Sequence, residues 1–313
     1  MATKVSRTFQ GSNITLRGVE YTPEVENYSI EGVSVTSGEC LGSVYFLHGL
    51  SARWKDYEPL LDPLSENLNI IAYDQRGHGN SPGKFSVEKA ADDLEAIIDK
   101  EEKRPAAILA HSIGCRVAVD VAYRMFAKGK PLAGIYMIEP CLGIDSFSSG
   151  MRALIRTLHY ASLPLFPLDW LLNSMSGWRK EHGFHQRYVI QTTGDMANFH
   201  SDDCEGFPRS YVGFMLSDND KVLGTHKQNH YWYCMERLRK LFPYPRHGEP
   251  GAPSAWDDSG VVAGLNHCLN KPEDGHVPFL MPSGDENDYQ RNKTRDRILD
   301  RVHSFFKSVF GPE

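Results

Sequence analysis

The chain has 313 residues, of which 41% are apolar and 24% charged, and its formal net charge is −6. This length and composition are typical of a globular protein with a large core, and they fit one domain that carries an insertion. The basic residues are scattered instead of forming a patch, so the sequence argues against a nucleic-acid-binding protein.

Targeting and membrane-spanning segments are not evident in the sequence. No window contains 18 or more uninterrupted apolar residues, and Lys4 and Arg7 are not followed by an apolar stretch of signal-peptide length. We therefore expect a cytoplasmic protein without stable membrane insertion. Its oligomeric state stays open.

The cysteines and histidines do not form a convincing metal site. Six cysteines lie at positions 40, 115, 141, 204, 234 and 268 without a CxxC pair, which favours free thiols over a disulfide framework. His182 and His185, near Asp202, Asp203 and Cys204, are the only crowded ligand types, and their spacing is a weak match to a zinc or iron site. We expect no metal and no cofactor.

The first half of the chain alternates between strand-like and helix-like segments. Residues 8–36 contain short β-like runs at 14–16, 19–21 and 28–35, which predict an antiparallel opening. Continuous apolar strands are then predicted at 43–47 and 68–73, with a helix over 54–64 between them and a second helix capped by Ser86 after them. Such alternation predicts a parallel sheet with helices on both faces.

The next segment breaks sharply at a serine. Residues 106–110 are apolar enough for a strand buried on both faces, and Val117, Val121 and Met125 then recur at the spacing of a helical stripe. Ala110 and Gly114 lie two residues either side of Ser112, where a tight strand-to-helix turn needs small side chains. Ser112 would stand alone at the apex, and it is the candidate nucleophile.

The second half contains an insertion and the remaining strands. A sixth strand is predicted at 133–138, after which the pattern dissolves from residue 143 to about 206 into amphipathic segments and a Pro-interrupted apolar stretch. Strands are then predicted at 211–216 and 261–263, with a helix over 231–242 between them and a last helix near the carboxyl terminus.

Three stretches together carry a family resemblance. Ala110-His-Ser-Ile-Gly114 resembles the nucleophile elbow of the α/β-hydrolase family, although Ala110 replaces the first glycine of the usual G-x-S-x-G. His48-Gly49-Leu50 resembles the loop after the third strand of that family. The run of residues 74–81, which reads D-x-R-G-x-G-x-S, resembles the loop after its fourth strand.

The resemblance covers roughly residues 43–142 and 207–310 and implies a domain organisation. It implies an α/β fold with a mostly parallel central sheet and helices on both faces, formed by residues 1–142 and 207–313. It also implies that residues 143–206 form a helical cap, inserted between strands six and seven, that supplies apolar walls to a substrate pocket.

The same resemblance implies an acid and a base that follow Ser112 in the order acid, then histidine. Asp220 matches the acid position in the loop after strand seven. Asp218 and Glu139 are the alternatives, the latter because it closes the sixth strand, from which some family members supply the acid.

For the base, His276 matches the family's G-H-x-x-x-L loop before the terminal helix. His267, which follows the last predicted strand in a G-x-x-H pattern, is the alternative. His111 is too close to Ser112 in sequence to act as its base and is interpreted as a pocket or packing residue.

The oxyanion donors implied by the family are backbone groups, here the N–H groups of Leu50 and Ile113. Three polar residues in the loops at the same sheet edge, His48, Arg76 and His78, are interpreted as structural.

These residues predict a serine hydrolase that cleaves a carboxylic ester, thioester or lactone through an acyl-enzyme on Ser112. The expected partner is a small-molecule acyl substrate with an apolar portion. Acyl transfer, C–C cleavage, a lyase or cyclase reaction, and ligand binding without catalysis stay open on the same scaffold. We expect the cap to enclose its substrate rather than to act as an interfacial lid.

Overall fold

The computed structural model describes most of the first half of the chain and two segments of the second half. The described residues are 2–24, 26–30, 33–37, 42–50, 52–101, 105–143, 149–150, 152–153, 157, 211–215 and 289–310. The predicted strand at 261–263, the predicted helix at 231–242 and almost all of the predicted cap lie outside them.

The described residues form nine strands, four α-helices and one short 3₁₀ helix. The strands are β1 (Thr3–Gln10), β2 (Thr15–Thr22), β3 (Glu26–Ile30), β4 (Val33–Ser37), β5 (Gly42–Leu47), β6 (Leu68–Tyr73), β7 (Ala106–His111), β8 (Gly134–Ile138) and β9 (Tyr211–Met215). The 3₁₀ helix is Trp54–Tyr57, and the α-helices are α1 (Glu58–Leu64), α2 (Val87–Lys100), α3 (Ile113–Ala127) and α4 (Tyr289–Phe310).

Seven of these strands form one mixed sheet in the order β1-β2-β6-β5-β7-β8-β9. The β1–β2 and β2–β6 pairs are antiparallel, and every pair from β6 to β9 is parallel. The chain moves from β5 to β6 in one direction and then to β7 on the other side of β5. The carboxyl ends of β5 and β7 therefore flank the topological switch point, where open α/β sheets bind their ligands.

The inner strands are mostly apolar, as expected where helices cover both faces of the sheet, and the polar Ser43 and Asn69 within them bond to each other. Alternate residues of β5 face different layers: Tyr45 and Leu47 pack with α2 and α3, whereas Val44 and Phe46 pack with α1 and α4. The fold class predicted from the sequence, a mostly parallel sheet with helices on both faces, is confirmed.

Two helices predicted from the sequence are present, and one of them begins differently from the prediction. The Ser86 hydroxyl accepts a hydrogen bond from the Lys89 N–H at 3.3 Å, which satisfies a free donor in the first turn of α2. The helix predicted over 54–64 is present, but its first turn is a 3₁₀ helix that changes to α1 at Glu58.

The opening differs from the prediction in two details. The first strand already begins at Thr3 and pairs along its whole length with β2, into which the predicted runs at 14–16 and 19–21 merge. The run at 28–35 is not one strand: β3 ends at Ile30, β4 begins at Val33, and the two pair as a separate antiparallel ladder. An alternating pattern continues across a hairpin, so periodicity alone missed the reversal.

Within the described part of the chain, no helix has the length and apolar character needed to cross a bilayer. No group of three metal-ligating side chains occurs among these residues either. The histidines and acids considered as metal ligands, positions 182–204, lie outside them.

Candidate active site

Ser112 connects β7 to α3 in a backbone conformation that L-residues rarely adopt. Its φ is 53° and its ψ is −120°, a combination that costs about 1–3 kcal/mol and persists only where the surroundings enforce it. Its N–H donates to the Ile138 carbonyl at 3.0 Å, and its carbonyl accepts from Cys115 at 3.0 Å and Cys141 at 3.1 Å. Backbone bonds to the end of β8 and the first turn of α3 thus hold the turn.

Close approach of the backbone requires glycine at two positions around this turn. A Cβ on Gly114 would lie 2.7 Å from the Leu47 carbonyl oxygen and 2.9 Å from that of His48. A Cβ on Gly49 would lie 2.7 Å from Nδ1 of His111 and 3.2 Å from Cβ of Ser112. The loop after β5 therefore packs directly on the strand-to-helix turn at Ser112, which we call the elbow. The need for a small side chain at Gly114 was predicted from the sequence.

The loop after β5 is held by the ring of His48. Its Nδ1–H donates to the Gly49 carbonyl at 2.8 Å, and its Nε2 accepts from the Gln75 N–H at 2.9 Å. These two bonds fix one neutral tautomer. Burial lowers the pKa of His48 to about 4, so the ring stays neutral near pH 7.

The loop after β6 is anchored by a buried ion pair. Arg76 donates from Nε to Oδ2 of Asp93 at 2.7 Å and from Nη2 to Oδ1 at 2.6 Å. The side chains of both residues are almost fully buried. Asp93 Oδ1 also accepts from the N–H and hydroxyl of Ser12, so one carboxylate joins this loop, α2 and the β1–β2 turn.

His78 and Asp74 complete the same loop. The rings of His48 and His78 pack edge to face at 5.0 Å, and burial lowers the pKa of His78 to about 3. Asp74 accepts the N–H groups of Trp54 at 3.1 Å and Asn80 at 2.8 Å, while its burial raises its pKa to about 6. The contacts of His48, Arg76 and His78 agree with the structural roles that we expected.

Glu139 lies beside the elbow at the end of β8. It is 1% exposed, its φ is 47°, and its N–H donates to the Met215 carbonyl at 2.8 Å. Glu139 is therefore a buried acid in a strained backbone conformation, and the residue before it accepts the Ser112 N–H. Strained backbone and buried acids are both frequent at functional sites.

The structure brings part of the predicted site together. Ser112, Ile113 and Leu50 lie at the carboxyl ends of the neighbouring strands β7 and β5. Ile113 begins α3, so its N–H has no acceptor within the helix. Among the described residues, neither the Leu50 N–H nor the Ile113 N–H has a hydrogen-bond acceptor. A serine hydroxyl and two backbone N–H groups at one edge are suited to acyl chemistry.

The other predicted residues lie outside the described part of the chain. These are the acid Asp220 and base His276, together with the alternatives Asp218 and His267.

Two further residues that shape this edge had no predicted role. Asp93 lies on the buried face of α2 and was recognisable, because a carboxylate at a helical spacing from Ala90 and Ile97 needs a buried partner. Tyr57, whose hydroxyl contacts both Gly49 and His111, gave no such signal, because a tyrosine in an apolar helical pattern is indistinguishable from a core residue.

Comparison with known proteins places this geometry in a family. Residues 44–286 match the model of the alpha/beta hydrolase family. This span includes both loops, the elbow and all parallel strands except the first two residues of β5.

Curated relatives match parts of the chain. The 2-(acetamidomethylene)succinate hydrolase of Mesorhizobium japonicum is 35% identical over 80 residues, which are 25% of this chain and 29% of that protein. The lipase LipV of Mycobacterium tuberculosis is 27% identical over 104 residues, which are 33% of this chain and 38% of that protein. The chain therefore spans only about a third of the length of these two relatives.

Solved structures resemble the chain over a longer span. An esterase from Exiguobacterium antarcticum superposes with a TM-score of 0.56 at 16% identity and covers 97% of this chain and 100% of its own. At this identity the likeness concerns the fold.

Proposed function

The chain belongs to the α/β-hydrolase family, and on that premise we propose that it is a serine hydrolase acting on a carboxylic ester, thioester or lactone. The observation that carries the proposal is the positive φ of Ser112 at the end of β7, beside the loop after β5. Such a strained turn places a serine hydroxyl at the switch point of the sheet, where open α/β sheets bind their ligands.

The proposed reaction has two halves. The Ser112 hydroxyl attacks the substrate carbonyl while His276, oriented by Asp220, takes its proton. The tetrahedral oxyanion then accepts hydrogen bonds from the Leu50 and Ile113 N–H groups. It collapses to an acyl-enzyme as His276 returns the proton to the leaving alcohol or thiol. Water, deprotonated by His276, attacks the acyl-enzyme, and His276 returns this proton to Ser112 Oγ as the acid leaves.

Glu139 is the rival acid with direct structural support, since it is buried beside the elbow. Asp220→Asn and Glu139→Gln separate the two assignments, because only one carboxylate orients the base. We expect Asp220→Asn to lower kcat by on the order of 10³-fold or more and Glu139→Gln to have a far smaller effect. His276→Ala and His267→Ala form the equivalent pair for the base. A reversed order within a pair would reassign that residue.

We propose residues 143–206 as a helical cap over a core of residues 1–142 and 207–313, with a substrate of moderate size enclosed between them. The names of the relatives include a lipase, and a lipase lid opens at an interface. The rate of hydrolysis of a short and of a long acyl ester, measured below and above the concentration at which micelles form, distinguishes an enclosed pocket from an interfacial lid. We expect no sharp rise above that point, and a rise would identify an interfacial lid.

The direct test of the activity is covalent labelling with a fluorophosphonate, followed by turnover of a panel of p-nitrophenyl esters, acyl thioesters, lactones and amides. Ser112→Ala should abolish labelling and lower ester turnover by on the order of 10³-fold or more. Ser43→Ala is a matched control, because Ser43 is also buried but lies at the opposite end of β5. Wild-type turnover in Ser112→Ala would refute the proposal.

A further inference from the structure

The hydroxyl of Tyr57 lies between the two backbone segments of the proposed site. Tyr57 ends the 3₁₀ helix, is fully buried, and packs its ring on Phe46 at 4.6 Å. Its oxygen accepts the Gly49 N–H at 3.1 Å and lies 2.7 Å from Nδ1 of His111. One phenol oxygen thus contacts the loop after β5 and the residue before Ser112.

The protons of this contact follow from its environment. Burial raises the pKa of Tyr57, so the phenol keeps its proton. A buried phenol O–H needs an acceptor, and Nδ1 of His111 lies within hydrogen-bond distance, so we assign the Tyr57 hydrogen to Nδ1, which places the imidazole proton on Nε2. The Tyr57 hydroxyl then accepts from the Gly49 N–H and donates to Nδ1 of His111.

The two segments joined by Tyr57 carry the two proposed oxyanion donors. The Gly49–Leu50 peptide includes the Leu50 N–H, and its carbonyl is held by Nδ1–H of His48 at 2.8 Å and the Ala52 N–H at 3.3 Å. The carbonyl and N–H of a planar peptide point in opposite directions, so these bonds orient the Leu50 N–H. On the other side, His111 is two residues before Ile113.

We propose that Tyr57 is a positioning residue that, through His111, sets the separation between the Leu50 and Ile113 N–H groups. The inference rests on the proposed serine-hydrolase function. Tyr57 does not touch the substrate: it fixes the loop after β5 against the elbow, so that both donors reach the same oxyanion. A misplacement of about 1 Å in such a site costs up to about 10²-fold in rate.

Tyr57→Phe tests the proposal by removing one oxygen and keeping the ring that packs on Phe46. We expect kcat to fall roughly 10- to 100-fold with KM unchanged within about twofold, because the oxyanion exists only after attack. The affinity for a trifluoromethyl ketone, which forms an oxyanion on the serine, should weaken by a similar factor. A purely structural role would not weaken binding of this analogue selectively.

Tyr73→Phe is the matched control. Tyr73 is equally buried, and among the described residues its hydroxyl has no hydrogen-bond partner. Its kcat, KM and analogue affinity should equal those of the wild type. If Tyr57→Phe equals Tyr73→Phe in kcat, KM and analogue affinity, the positioning role is refuted. The proposed serine-hydrolase function would still stand, because Ser112→Ala tests it separately. An active Ser112→Ala enzyme would overturn both.

Variants of His111 test the same link from its other end, whether or not Tyr57→Phe folds. His111→Asn keeps an acceptor for the Tyr57 hydroxyl, whereas His111→Leu removes it. We expect His111→Asn to retain at least about 10-fold more kcat than His111→Leu at similar KM. Equal kcat and equal analogue affinity in the two variants would refute the link.

Discussion

The elbow around Ser112 and the loops after β5 and β6 lie at the same edge of the sheet, but different interactions hold them. Backbone hydrogen bonds to Ile138, Cys115 and Cys141 hold the elbow. The loops are held by buried polar side chains, among them His48, Arg76 and Asp93. The turn at Ser112 therefore depends on space for the backbone, whereas its surroundings depend on side-chain chemistry.

The largest expected effect comes from breaking the polar anchor of the loops. Arg76→Met leaves the Asp93 carboxylate buried without its cation, which should lower the free energy of unfolding by about 3–5 kcal/mol. Urea unfolding measures the change. The double variant Arg76→Met/Asp93→Leu should recover part of the loss, because neither charge then lies buried alone, although Ser12 loses the acceptor of its N–H and hydroxyl.

Arg7→Met is the control for this prediction. Arg7 pairs with Glu20 and Glu101, and about a third of its side chain is exposed. Its removal should cost about 1 kcal/mol or less. Equal losses in Arg76→Met and Arg7→Met would show that the buried pair does not anchor the loop.

The elbow should break for a steric reason instead. Gly114→Ala brings a Cβ within 3 Å of the Leu47 and His48 carbonyl oxygens, and backbone atoms cannot rotate away. We expect a loss of about 1–3 kcal/mol in unfolding free energy, measured in urea, together with reduced fluorophosphonate labelling.

Gly150→Ala serves as its control for stability, since no described residue lies within 4 Å of a Cβ placed there. It should change the unfolding free energy by no more than about 0.5 kcal/mol. If Gly114→Ala is as stable as Gly150→Ala and as reactive as the wild type, the close approach is not what shapes the elbow.

The polar loops should also give the fold a pH dependence that the elbow does not. In the folded chain the pKa of His78 is lowered to about 3, whereas a histidine exposed to solvent, as in the unfolded chain, has a pKa of 6.5. The unfolded state therefore binds the extra proton between about pH 6.5 and 3, and His78 makes the fold lose stability as the pH falls through this window. His48, with a pKa of about 4, acts in the same direction.

Asp74 opposes this effect, because its pKa is raised to about 6 and the folded state takes up its proton first. Comparing the wild type with His78→Phe isolates the contribution of His78 to the pH dependence of the unfolding free energy. His78→Phe should reduce the slope of unfolding free energy against pH by about 1.4 kcal/mol per pH unit between pH 6 and 4. Urea unfolding at several pH values measures it, and identical slopes for the two proteins would mean that His78 protonates equally in both states.

The sequence predicted the sheet and the elbow because both depend on patterns that it displays directly. Apolar runs mark strands β5 to β8, and the small residues Ala110 and Gly114 mark the tight turn. The β3–β4 reversal was missed because alternation continues across it. The Tyr57 bridge could not be predicted, since its partners are 8 and 54 residues away and only the fold brings them together.

The central claim is that Ser112 forms the acyl-enzyme, and trapping that intermediate tests it most directly. The enzyme is mixed with excess p-nitrophenyl ester and quenched in acid within milliseconds, and its mass is measured intact and after digestion. We expect a mass increase of one acyl group, located on Ser112 and absent from Ser112→Ala. An acyl group on another residue, or equal acylation of the Ser112→Ala protein, would contradict it.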